Sequence, residues 1–186
     1  MEQQFIERAT EVGAVVHTAA DSAEAVALVA RIYRSVAARS VVVSPDLAHL
    51  KEPISRTLIE VGASLVEGSS PEDVAEADLG VTGAALAVAE TGSILVAGND
   101  PVPRLATMLP LIHVAVVDVR SIVPSLEDVA GYLRRTAPGK GGGPVRYASL
   151  VSGPSRTADI EKTLSTGVHG PRELHIILIR SESVER

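Results

Sequence analysis

The chain has 186 residues, 46% apolar and 22% charged, which suits one folded domain with its own core and excludes wholesale disorder. It has no cysteine, which excludes disulfides, thiol nucleophiles and clusters or metals held by its own thiolates. A net charge of −6 and an aromatic content of 2% speak against a duplex-binding surface and against aromatic platforms for stacked bases.

In chain order, residues 3–12 read as a short amphipathic helix ending at Gly13, and residues 14–17 as a strand. Asp21 with Glu24 starts a second helix, whose apolar residues Val26, Val29, Ala30, Tyr33 and Ala37 recur at helical spacing. Val41 to Val43 is a β-branched run, as expected of a strand covered on both faces. Ser44–Pro45–Asp46 reads as a turn. A helix over 52–61 stops at Gly62, and residues 63–66 return as a strand. Ser70–Pro71–Glu72–Asp73 opens a short helix with proline at its first position. Leu79 to Thr82, Leu86 to Ala89 and Ser93 to Ala97 are short apolar runs between glycine turns, which suggests an antiparallel element or a second sheet. A helix over 101–109, a strand over 111–117 and a helix capped by Ser125 and Asp128 follow. Residues 137–146 form a Gly/Pro loop, read as a flexible tip. The chain ends with a strand over 148–152, a helix from about Thr157 to Leu164 and a strand over 174–179. The alternation predicts a single α/β sandwich over residues 1–186, with a mostly parallel sheet and a small antiparallel element.

No apolar run reaches the roughly 20 residues of a membrane span. The first ten residues carry Glu2, Glu7 and Arg8, unlike a secretory signal, so the expected location is cytoplasmic. Residues 1–93 hold 14 acids and 6 bases, and residues 94–186 hold 9 and 11. That asymmetry reads either as chance or as a second half that meets an anionic ligand.

Three segments carry candidate chemistry. Ser152–Gly153–Pro154–Ser155–Arg156–Thr157 joins a strand to the expected helix. Its hydroxyls, amides and guanidinium suit a phosphate or carboxylate at a strand's carboxyl end; the plainer reading is a helix cap. Gly167 to His175 places His169, Gly170 and Arg172 on a constrained loop, where Arg172 alternatively pairs with Asp159 or Glu161 as scaffolding. Glu90 interrupts an apolar run beside Thr91–Gly92. Buried there it would act as a general base or nucleophile; solvated, it belongs to an ordinary turn. Thr82–Gly83 nearby offers a backbone for close approach. No Gly-x-Gly-x-x-Gly turn follows a strand, Lys140 lacks the hydroxyl neighbour of a phosphate loop, and there is no Gly-x-Ser-x-Gly elbow or glycosidase carboxylate pair. His113 and His175 read as structural, and the histidines share no metal-ligand spacing.

Gly80 to Ala84 running into Ala89–Glu90–Thr91–Gly92–Ser93, with Ile122 to Asp128, Ser152 to Glu161 and Gly167 to His175, resemble the LUD-domain family of the lactate-utilisation proteins B and C. The resemblance spans about residues 60–180, while residues 1–55 match only loosely. Lacking cysteine and an appended cluster-binding region, the chain looks like the C type. The resemblance implies a three-layer α/β/α sandwich similar to the sugar-phosphate isomerase and coenzyme A transferase group, some of whose members carry a catalytic glutamate before a glycine turn, as at Glu90. It implies oxidation of L-lactate to pyruvate beside iron–sulfur partner proteins, with no cofactor on this chain. Family members often have Asp where this chain has Ala85, and the shorter N-terminal part implies a missing lid or partner surface. On this reading Ser152, Gly153, Pro154, Ser155, Arg156, Thr157 and Gly170 hold a small anionic metabolite, with Thr82, Gly83, Thr91 and Gly92 alongside. Arg172 adds a second positive contact, His169 moves a proton, Glu90 is the acid/base or acyl acceptor, and Asp159 orients an arginine. The competing expectations are a non-catalytic assembly or metabolite-sensing subunit and an independent coenzyme A or sugar-phosphate enzyme. A homo-oligomer is compatible with each.

Overall fold

A computed structural model describes residues 1–136, 145–158, 164–166 and 170–180. Six strands form one parallel sheet. They are β1 (Val15–Ala19), β2 (Ser40–Val43), β3 (Ser64–Leu65), β4 (Leu79–Gly83), β7 (Ile112–Asp118) and β12 (Glu173–Ile179), in the order β1-β12-β7-β4-β2-β3. Four shorter strands, β5 (Leu86–Val88), β6 (Ser93–Gly98), β8 (Ile122–Val123) and β9 (Tyr147–Val151), make a mixed sheet in the order β8-β5-β6-β9. Of the three clustered apolar runs, the first therefore joins the parallel sheet, and the other two form the antiparallel hairpin β5–β6.

The β-branched runs are buried on both faces, as a covered parallel sheet requires. Val41 packs with α2 (Ser22–Ser35) and α3 (Lys51–Glu60) on one face. Its neighbour Val42 packs with α4 (Pro71–Ala75) and α5 (Pro101–Ala106) on the other. That second face also carries α1 (Glu2–Glu11) and the mixed sheet, whose Ala87, Ile94 and Val96 meet Ala115, Val117, Leu174 and Ile176 of the parallel strands. Val129 of α6 (Leu126–Arg135) covers the outside of the mixed sheet against Val88 and Leu95.

The expected caps form. The Asp21 carboxylate accepts from Glu24 N–H at 2.8 Å, and Ser70 with Asp73 and Ser125 with Asp128 make capping boxes. Two segments depart from expectation. Pro45–Leu50 is a 3-10 turn, not a simple bend, with Ala48 held at φ 51°, ψ −121°. The helix expected from about Thr157 does not start there: β10 (Arg156–Ala158) pairs antiparallel with β11 (Leu164–Thr166), and residues 159–163 lie outside the described set. Thr157 and Thr166, β-branched, fit an extended ladder better than a helix. The Gly/Pro loop lies outside the described residues except for Val145 and Arg146.

Candidate functional site

A parallel sheet has two unlike ends, and the predicted residues divide between them. At the amino end, β1, β7 and β12 begin. Arg172 N–H donates to Leu111 O at 2.7 Å, and Ser155 N–H donates to Pro171 O at 2.8 Å. The two long motifs therefore meet, one residue ahead of β12. Ser152 and Arg172 are exposed, while Gly153, Pro154, Ser155 and Gly170 are half-buried. A Cβ on Gly170 would approach that of Ser155 to 3.2 Å. The Ser152 hydroxyl lies 2.5 Å from that of buried Ser93, which accepts from Thr91 Oγ1 at 2.8 Å. Thr91, Ser93 and Ser152 thus form a line of hydroxyls with buried Ser93 at its centre.

Placement at the carboxyl ends of the parallel strands is corrected here. Ser152 follows β9 of the mixed sheet, and Ser155 bonds to Pro171 just ahead of β12, so its turn lies at the amino end of the parallel sheet. The helix dipole expected behind Ser155 is also absent, because residues 156–158 are extended. Arg156 and Thr157 are described as backbone in β10; Asp159 and His169 lie outside the described residues.

Two glycines read as ligand approaches serve packing. Gly92 has φ 67°, and a Cβ there would fall 2.2 Å from Ala9 N; Gly153 has φ 96°, and its Cβ would fall 2.4 Å from Val12 O. Both let the mixed sheet close on the end of α1. Glu90 is exposed, so the burial invoked for a catalytic carboxyl is missing. Its carboxylate accepts from Leu126 N–H at 3.2 Å, at the first turn of α6, where negative charge favours the helix dipole. Thr82 is fully buried and bonded to His113 Nε2 at 2.8 Å.

The carboxyl end holds a cavity that the motifs did not single out, save for Gly83. It measures about 370 Å³ and lies where β4, β7 and β12 finish. Its walls include Leu47, Ala84, Ala97, Val116 and Ile179, with Asp46, His49 and Asp118 as polar groups. Ala85 also faces it, so the departure from the family's common Asp falls on this wall. Seven residues of β12 separate the two ends, about 20 Å at the usual strand rise.

Asp46 Oδ1 accepts from Gly83 N–H at 3.1 Å. Burial pushes the Asp46 carboxyl above the usual range, opposed by the polarity of Ser44 and the Gly83 amide and reinforced by Asp100. The fully buried Ser44 hydroxyl lies toward that carboxyl but has no partner of normal hydrogen-bond geometry. Asp118 is bound by Arg120, which holds its carboxyl below the usual range. An adjoining cavity of about 210 Å³ shares Asp46 and Ala97 and reaches Gly98 and Tyr147. The buried Tyr147 hydroxyl is likewise without a partner of normal geometry; burial, Asp46 and Asp100 push it up to about 12.

The loop that bears Asp46 is strained at Ala48, in a region that glycine favours. Ala48→Gly is expected to stabilise the chain by about 1 kcal/mol, read as a higher denaturant midpoint at unchanged slope. One sequence signal pointed to this wall: Ser–Pro–Asp directly after the two-sided strand β2. Among the described residues, no group of three or more His, Asp or Glu is arranged to hold a metal. No helix there is long and apolar enough to cross a membrane.

The comparisons agree with this architecture. A DUF162 family protein from Deinococcus radiodurans superposes with a TM-score of 0.66 at 25% identity, covering 96% of this chain and 95% of that one. Lactate utilization protein C of Geobacillus thermodenitrificans is 28% identical over 133 residues, 72% of this chain and 55% of that protein. Lactate utilization protein B of Bacillus pumilus is 33% identical over 154 residues, 74% of this chain and 30% of that protein. The chain thus spans about half or less of these two relatives. The LUD domain model matches residues 2–179, nearly the whole described fold, and the chain belongs to the LUD domain family.

Proposed function

We propose that this chain is a component of an L-lactate utilisation system, taking part in oxidation of lactate to pyruvate beside iron–sulfur partner proteins. What carries the reading is the family match along the chain together with relatives named Lactate utilization protein C and B. Redox centres of the iron–sulfur kind belong on the partners, because this chain offers no thiolate. The chain's own part is to hold a small anionic metabolite at the amino end. Exposed Arg172 supplies the charge there, and the Ser152–Ser155 turn, joined to it through Pro171, supplies hydroxyls. Arg156, Thr157, Asp159 and His169 are the further candidates on the same two motifs.

Deleting the gene in its host should abolish growth on L-lactate while growth on pyruvate persists; normal growth on lactate overturns the reading. Arg172→Ala should lower complementation at least tenfold, as expected when a charged contact of about 1.5–3 kcal/mol is lost. A second reading, a non-catalytic assembly or sensing subunit, is favoured by the exposed Glu90 holding the start of α6. Glu90→Gln separates the two: full complementation removes glutamate catalysis, and lost growth with the protein still folded restores it.

A further inference from the structure

The carboxyl-end cavity differs in chemistry from the amino-end motifs. At about 370 Å³ it falls in the range of sites for ligands much larger than a three-carbon acid. Its floor is apolar and made of small residues, Ala84, Ala85 and Ala97, which leave room for a flat body to lie against the sheet. Among the described residues no Lys or Arg lines it or the adjoining space. Asp118 is already bound by Arg120. That leaves Asp46, fixed by one oxygen on Gly83 N–H, with His49 on the same wall; the Tyr147 hydroxyl borders the adjoining space and the Ser44 hydroxyl is buried behind Asp46, both without a normal partner. A buried hydroxyl without a partner costs roughly 1–3 kcal/mol, which a ligand's polar groups would recover. A carboxylate or phosphate placed there would meet the Asp46 and Asp118 carboxyls on a wall whose described residues include no Lys or Arg and one basic side chain, the His49 ring.

We propose that this cavity binds a ligand with a flat apolar body and a hydrogen-bond donor, a hydroxyl or an ammonium, delivered to the Asp46 carboxyl, and that it rejects small anions. The Tyr147 hydroxyl, which borders the adjoining space, turns to meet the ligand's remaining polar groups. The site is separate from the anion-holding role at the opposite end of the sheet, so it stands or falls apart from the lactate reading.

The test uses the full chain, with four probes titrated at millimolar concentration: adenosine, which offers a neutral ring and vicinal hydroxyls, tyramine, which offers a ring and an ammonium, L-lactate and inorganic phosphate. The Gly83 amide, bonded to Asp46, serves as the NMR reporter, with melting temperature alongside. Adenosine or tyramine should shift the Gly83 signal saturably, and which of them does so assigns the donor as hydroxyl or ammonium. Asp46→Asn should weaken that binding at least tenfold, and Ala97→Leu, which fills the floor, should abolish it. The reporter in the unmodified chain keeps the question answerable if either variant misfolds. A saturable Gly83 response to lactate or phosphate overturns the proposal, as does the absence of a response to both adenosine and tyramine.

Discussion

Gly92→Ala is expected to lower the melting temperature by about 6–12 °C, the equivalent of about 3 kcal/mol for a domain of this size. Two costs act together. Ala must adopt φ 67°, worth about 1–2 kcal/mol. Its Cβ must also displace the backbone of Arg8 and Ala9, now 2.2–2.4 Å away, which typically costs about 1–3 kcal/mol. A helix backbone cannot yield as a flexible side chain can, so α1 has to lift, and buried Phe5 and Ala9 lift with it. Thermal denaturation of the purified variant decides the matter. A drop of less than about 3 °C would mean that Gly92 is not clamped against α1 and would return it to the list of ligand contacts.

Acid should destabilise the chain well before its carboxylates are all protonated. Burial pushes His113 down to about 3, and burial, His175 and Arg31 also lower His17. The His17 and His175 rings stack at 5.5 Å, with Nε2 and Nδ1 3.2 Å apart. In both histidines the folded pKa lies below the unfolded value near 6.5, so between those values the unfolded chain binds the proton first. Stability is full above about pH 6.5 and declines as pH falls. His113 alone should contribute a slope of about 1.4 kcal/mol per pH unit down to its own titration near 3. From pH 6 to 4.5 that amounts to roughly 2 kcal/mol. Asp46 acts with the opposite sign, since its raised carboxyl takes up a proton more readily in the folded state. Denaturant unfolding at several pH values measures the sum, and His113→Gln isolates one contribution. The variant loses some stability at pH 7.5, yet its slope between pH 6 and 4.5 should fall by about 1.4 kcal/mol per unit. An unchanged slope would show that His113 is not the group responsible.

Local chemistry was the legible part of the sequence. Asp21, Ser70 and Ser125 cap helices as their spacing required, because a cap depends only on residues three apart. The two-sided run at Val41–Val43 and the strand expected over 111–117 became inner strands of the parallel sheet, β2 and β7. What the chain hid was direction. Ser152 follows β9, a strand of the mixed sheet, and it is the contact of Ser155 with Pro171, just ahead of β12, that reveals which end of the parallel sheet the turn reaches. The glycines at 92 and 153 carry the same ambiguity, since a missing Cβ admits a ligand or a neighbouring helix equally well. Asp46 went unnoticed for the converse reason. It sits in what reads as an ordinary turn, and its importance comes from Gly83 and Tyr147, which distant segments bring beside it.

The place of β12 has a consequence for how the protein is made. The first strand, β1, finds its sheet partner only in β12, where Val15 pairs with His175. A ribosome adding about 5–20 residues per second releases β1 on the order of ten seconds before its partner exists. Until then β1 is an unpaired edge, and β7 lacks the neighbour that later seals one of its flanks. Final closure is therefore a late, long-range event, and a nascent chain halted before residue 173 would present those two edges to chaperones or to other copies of itself.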